Sequence, residues 1–254
     1  MTGLEQLAVL AAGFGAGILT STVGVASLLS FPVLLAVGLP PVVANASNTV
    51  GMTPAGLSGS FGYRRELREH PRVTATVIAT CMVGSIAGAT LLLALPPGVF
   101  EAVVPWLILF TCVLVGAQPR ISAWLRRRQG TGLVEPRTTM SPITTVFATL
   151  TGVYGGYFGA GSGVMMLAVL GLGLDIELRI TNALKTLAVL AANLVAAVIF
   201  IFAANLEWAA VALLAIGSVV GGYVGAHIGR RLPPALFRSL IVAFGVTASV
   251  MMLL

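Results

Sequence analysis

Long apolar runs, separated by short clusters of charge, proline and glycine, set the pattern of this chain. The first is a Gly-rich stretch over residues 4–39. As one helix it would be about 54 Å long, well beyond a hydrocarbon core of about 30 Å. It is therefore predicted to break, at Gly24 to Ser27. Next come a polar-headed helix over 43–63, one over 73–95 that ends in Pro-Pro, and a last over 99–118. The same order then recurs: a Gly-rich stretch over 141–176 that breaks between Gly159 and Gly163, then helices over 180–202, 209–232 and 235–254.

The recurrence is a true internal repeat. Shifted by 137 residues, "VGSIAGATLLLALPPGVF" (83–100) overlies "VGGYVGAHIGRRLPPALF" (220–237), identical at eight of eighteen positions. The same shift sets Gly15 on Gly152, Gly24 on Gly161, Asn45 on Asn182 and Thr49 on Thr186. Repeat 1 covers 4–117 and repeat 2 covers 141–254, joined by a basic cytoplasmic linker over 118–140. Neither half has a soluble surface of its own, so 1–254 reads as one transmembrane domain.

Composition fixes the solvent. Hydrophobic residues make up 57% of the chain, charged residues only 9%, and the mean hydropathy is +1.02. A soluble domain carries charge on about a quarter of its residues, so most of this surface must face lipid. The fourteen basic residues sit in clusters between apolar runs, which speaks for loops and against a nucleic-acid surface. "MTGLEQLAVLAAG" lacks a basic start and a cleavage pattern and is read as a retained first span.

The clusters also orient the halves. Arg64, Arg65, Arg68 and Arg72 follow the second helix of repeat 1, where repeat 2 has Ile201, Phe202, Asn205 and Ala209. Arg230 and Arg231 end the third helix of repeat 2, opposite Leu93 and Ala94. Cytoplasmic ends gather Lys and Arg. Inverted halves put all of these, with Arg126–Arg128, inside, whereas eight parallel spans would leave Arg230 and Arg231 outside. The expected fold is all-α and polytopic: inverted repeats, each with a broken first helix, giving eight full spans or ten segments.

Interrupted helices in inverted repeats are a plan of secondary transporters, with the site near the midplane. On that reading Gly24, Ser27, Gly161, Ser162 and Gly163 supply backbone at the breaks; the alternative is that such glycines only permit close helix packing. There is no phosphate-binding loop, no Ser/His/Asp set and no metal-ligand cluster, and the eight acids lie at segment ends or in loops. Cys81 and Cys112 stand apart, as small buried hydrophobes. No enzyme, cofactor or metal is expected.

One residue remains unaccounted for. Lys185 is the only lysine, in "TNALKTLAV" (181–189), and the repeat sets it on Asn48 in "NASNT" (45–49). Asn45, Asn48 and Thr49 with Asn182, Lys185 and Thr186 could line one polar cavity holding a single positive charge, suited to a small anion. Against this, Lys185 could snorkel or pair with Asp175 or Glu177, and the Asn and Thr residues could be caps. Ionisable groups within spans mark functional sites by default. A non-transporting scaffold, docking through its basic linker, is the rival from another class.

"GFGAGILTSTVGVASLLSFPVLLAVGLPPVVANASNTV" and its echo "GVYGGYFGAGSGVMMLAVLGLGLDIELRITNALKTLAVL" resemble the two halves of the TauE/SafE family of bacterial membrane proteins. Ala26 and Ser27 stand where family members often have glycine, and the second half lacks the matching proline. The resemblance implies transport, usually outward, of sulfite, thiosulfate or sulfonates across the bacterial inner membrane. Partners implied are the small anion and the lipid bilayer, with no nucleic acid and with homo-oligomerisation left open.

Overall fold

The computed structural model describes residues 1–22, 25–129, 139–228 and 234–253, and every regular element among them is an α-helix. Repeat 1 forms α1 (Gly3–Thr22), α2 (Ser27–Ala36), α3 (Pro41–Gly62), the short α4 (Arg64–Glu69), α5 (Pro71–Ala94) and α6 (Pro97–Gln129). Repeat 2 forms α7 (Pro142–Tyr157), α8 (Ser162–Gly173), α9 (Leu178–Ala203), α10 (Trp208–Ile228) and α11 (Pro234–Leu253). Gly24, the linker from 130 to 138, and Arg230 with Arg231 lie outside the described residues. Proline opens α3, α5 and α7 at a position whose N–H has no helical partner, so these starts fall where the sequence pattern puts them.

Both first stretches break, and both fold back. Gly15 of α1 faces Leu29 of α2, and Gly173 at the end of α8 lies against Thr144 at the start of α7. Each stretch is thus a helical hairpin. In repeat 2 the turn is Phe158–Gly161, with Gly159 and Gly161 at φ +79° and +76°, a backbone that only glycine adopts without strain. Ser27, Ser162 and Gly163, expected within the breaks, belong instead to the first turns of α2 and α8.

Five described helices or helix segments are long and apolar enough to cross a bilayer: Gly3–Thr20, Pro71–Ala94, Pro97–Arg127, Leu178–Ala203 and Trp208–Gly225. α3 is not among them, because Asn45, Ser47, Asn48, Thr49 and Thr53 lower its hydropathy. All five of those polar residues are buried, so α3 is enclosed by other helices rather than by lipid. α6 runs on to Gln129, past the predicted end at 118, and Leu125 in the extension is sealed against Gly171 of α8. The outer faces carry exposed Val83, Ile86, Trp106, Val113, Ile143, Phe147 and Phe202, a surface suited to lipid.

Lipid is as apolar as a leucine side chain, so helix association here depends on close approach. α1 lies on α10, with Leu10, Phe14 and Ile18 against Gly217, Gly221 and Gly225. The equivalent pair is α5 on α7, with Gly84 against Thr149 and Val153, and Gly88 against Val153 and Tyr157. Residue numbers rise together across both contacts, so both pairs are parallel. α3 and α9 cross antiparallel, with Gly56 at Leu190 and the end of α4 beside the start of α9. α6 and α11 are antiparallel too, since the Ser249 hydroxyl donates to the Pro105 carbonyl and the Cys112 thiol to that of Val242. Each of these contacts joins one half to the other.

Candidate functional site

The turn of the α7–α8 hairpin sits inside the protein, where free carbonyls are costly. Three carbonyls in the turn and at its entry are met. Asn45 of α3 donates its amide to the Tyr157 carbonyl at 2.9 Å. The Ala160 carbonyl accepts from the Tyr154 hydroxyl at 2.7 Å and from Thr111 of α6 at 3.0 Å. The Gly159 carbonyl accepts from Ser162 Oγ at 2.8 Å. Phe158 is buried edge-on to Phe31 of α2, ring centroids 5.4 Å apart, with Phe100 of α6 behind it. Helices of repeat 1 therefore hold the turn of repeat 2.

Asn45 is thus engaged as a structural donor, and so are its neighbours. Asn48 Oδ1 accepts from Ser30 of α2 at 2.6 Å, Ser47 accepts from the Glu207 N–H at 3.0 Å, and Thr49 donates to the Asn45 carbonyl. None of the Asn and Thr residues is a cap. The caps of α3 and α9 are Pro40 and Glu177, and Asn45 and Asn182 lie one turn farther in.

On α9, at 100° per residue, Asn182, Lys185, Thr186, Val189 and Asn193 fall within about a third of the helix circumference. All five are partly accessible. The lipid-exposed residues Leu194 and Val198 lie on roughly the opposite side. Lys185 therefore faces into the protein, along a face that is neither sealed nor in lipid. Its ammonium has no ion pair or hydrogen bond among the described residues. Glu177, an anticipated partner, binds Arg179 instead at 3.6 Å. Asn182 gives one amide N–H to the Leu178 carbonyl, the other being unengaged among the described residues, and Thr186 donates to the Asn182 carbonyl.

The two triplets lie at different levels of the α3–α9 crossing. From the Gly56–Leu190 crossing, Asn48 lies about 12 Å to one side and Lys185 about 8 Å to the other, at about 1.5 Å per residue. The antiparallel register thus keeps Asn182, Lys185 and Thr186 together and carries Asn45, Asn48 and Thr49 away. It brings Ser60 of α3 level with Thr186 instead, on the stripe Thr53, Gly56, Ser60 that faces α9. Ser60 Oγ is buried with no hydrogen-bond partner among the described residues. Neither Ser60 nor Asn193 was singled out from sequence. Counting Asn193 two turns beyond Lys185 would have found one of them; Ser60 needs the register.

At the near end of this face, Arg179 binds Glu66 at 3.2 Å and Glu69 at 3.0 Å, joining α9 to α4. The Arg179 side chain is 52% exposed and that of Glu66 only 19%, so the pairing runs from the surface into the join of α4 and α9.

A profile of the family described as "Sulfite exporter TauE/SafE" matches residues 9–252. A probable membrane transporter protein of Haemophilus influenzae is 25% identical over 242 residues, covering 94% of this chain and 91% of that protein. The probable membrane transporter protein ORF9 of a Sinorhizobium species is 24% identical over 246 residues, covering 95% and 90%. The probable membrane transporter protein YfcA of Escherichia coli is 24% identical over 238 residues, covering 94% and 86%. No solved structure matches the chain.

Proposed function

Because the chain belongs to the TauE/SafE sulfite exporter family and is a multi-pass bacterial membrane protein, we propose that it carries a small sulfur oxyanion or organosulfonate outward, past Lys185. The observation that carries this reading is the ammonium itself: the chain's only lysine, on an inward, partly accessible face, with no counter-charge among the described residues. An anion would supply the missing charge. Asn182, with one amide N–H unengaged among the described residues, and Thr186, after rotation of its hydroxyl, would add donors.

An inverted arrangement of the two halves fits this route. Parallel α1–α10 and α5–α7 pairs, with antiparallel α3–α9 and α6–α11 pairs, are the pairings expected when one half is turned over relative to the other. In that arrangement the ends of α3, α6 and α10, which the sequence follows or finishes with arginines, share the cytoplasmic side, as the charge rule asks. The start of α9 and its Arg179 cluster lie on the same side. Lys185 is then about 10 Å inward from the start of its helix at about 1.5 Å per residue, the first fixed charge met beyond the mouth. Asn45, Asn48 and Thr49 serve the carrier by holding the hairpin turn and α2.

A membrane potential, negative inside, is worth about 2.3 kcal/mol per charge per 100 mV, so outward anion movement is downhill without a proton relay. Thermal stabilisation of the purified protein, screened over sulfite, thiosulfate, sulfate, taurine and carboxylates, tests the site. A selective upward shift that Lys185→Met abolishes, while keeping the unliganded melting profile, is the expected result. A flat response from well-folded wild type would favour the scaffold reading, and an equal shift in Lys185→Met would move the site elsewhere.

A further inference from the structure

Asn193 lies eight residues beyond Lys185 on the same inward face of α9, about 12 Å deeper at about 1.5 Å per residue. Leu190, three residues before it, marks the crossing with α3, so Asn193 sits at the centre of the helix assembly. Its side chain approaches the α7–α8 turn: a Cβ placed on Gly159 would lie 3.8 Å from Asn193 Oδ1. An amide at this depth normally spends its donors and acceptor on protein. Asn193 makes no hydrogen bond among the described residues, and neither amide atom is sealed from accessible space. By contrast, Asn45 and Asn48, the buried amides of α3, are both hydrogen-bonded. The repeat sets Asn193 on Gly56, so no equivalent amide exists in the other half.

We propose that Asn193 is a second, uncharged station for the transported anion, reached after Lys185, where its amide N–H donates to a sulfite or sulfonate oxygen beside the hairpin turn. The inference rests on the anion-carrier reading above. A carrier must also release its cargo, and a neutral donor after a charged one lets the anion leave the lysine without being trapped again. Two groups on one helix face, about two turns apart, would share the anion in succession. The amide also sets selectivity: it favours an oxygen-rich head that accepts a hydrogen bond over a halide of equal charge.

Uptake into inverted vesicles of labelled sulfite and taurine, with chloride as competitor, tests this in wild type, Asn193→Leu, Asn193→Asp and Asn193→Ser. The expectation is a tenfold or greater loss of maximal rate in Asn193→Leu, with the Lys185-dependent thermal shift retained. Asn193→Asp should stop transport by charge repulsion, and Asn193→Ser should restore part of the rate and of the selectivity over chloride. Wild-type transport matched by Asn193→Leu and Asn193→Asp in rate and selectivity would remove Asn193 as a station and leave the Lys185 site standing. Failure of wild type to bind or move any of these anions would instead remove the carrier reading itself. If Asn193→Leu does not fold, the Asp and Ser variants, closer in size, decide the matter on the same criteria.

Discussion

Asn45 and Lys185 show how similar polar signals resolve into different duties. Each lies inside a helix, among apolar neighbours, in matching pentapeptides. Asn45 is satisfied by a backbone carbonyl 112 positions away, whereas Lys185 is satisfied by nothing in the described protein. Removing the Asn45 amide leaves the half-buried Tyr157 carbonyl without its donor, at a cost of about 1 kcal/mol. Asn45→Ala should therefore lower the melting temperature in detergent without preventing residual anion-induced stabilisation. Loss of that stabilisation with an unchanged melting point would mean that Asn45 contacts the anion directly. Lys185 is legible in sequence because an amine in an apolar run has few reasons to be there. Asn193 is less so, since one amide in "LAANLVAAV" looks like many tolerated amides until its partners are counted.

Among the elements, the parallel pairs α1–α10 and α5–α7 depend on glycines that let one backbone meet another. A side chain at Gly88 would run into the Val153 carbonyl and the Tyr157 N–H, main-chain atoms that cannot step aside. Overpacking of this kind costs about 1–3 kcal/mol or more. Gly88→Leu is expected to give little monodisperse protein on size exclusion, while Gly98→Ala, with nothing within 4 Å, should behave as wild type. Equal yields would show that the α5–α7 contact is not what holds the halves together. The helix pattern, the two breaks and the repeat were readable because hydropathy and glycine placement encode them locally. The fold-back of each hairpin was not. A break states that the chain turns, but its angle is set by Leu29 against Gly15 and Thr144 against Gly173, contacts with no local signature. The same holds for the continuation of α6 to Gln129, which depends on Leu125 finding Gly171.

For the whole molecule, the decisive relation is the interlock of the halves, with chemistry unequally divided between them. Repeat 2 carries the ammonium and the unengaged amide, and repeat 1 carries the donors that hold the hairpin turn. The internal repeat supplies the matching positions, and the α3–α9 register that sets their levels is antiparallel. Pseudo-symmetry alone predicted convergence at one cavity. At the crossing Gly56 meets Leu190, and Asn48 and Lys185 lie on either side of it along their helices. Inversion has its own check. Arg68 and Asn205 are equivalent under the repeat, and both are exposed. Single cysteines placed there, in a background lacking buried Cys81 and Cys112, should react with a membrane-impermeant thiol reagent from opposite sides. Reaction from the same side would make the halves parallel.

The claim on which the rest depends is that an anion passes Lys185 under the membrane potential. Efflux of labelled sulfite and sulfoacetate from proteoliposomes, measured against an imposed potassium-diffusion potential, tests it for wild type and Lys185→Met side by side. Wild-type efflux that accelerates as the interior becomes more negative, and that falls to the protein-free rate in a folded Lys185→Met, is the result predicted. Efflux indifferent to the potential, or equal in the two proteins, would contradict it.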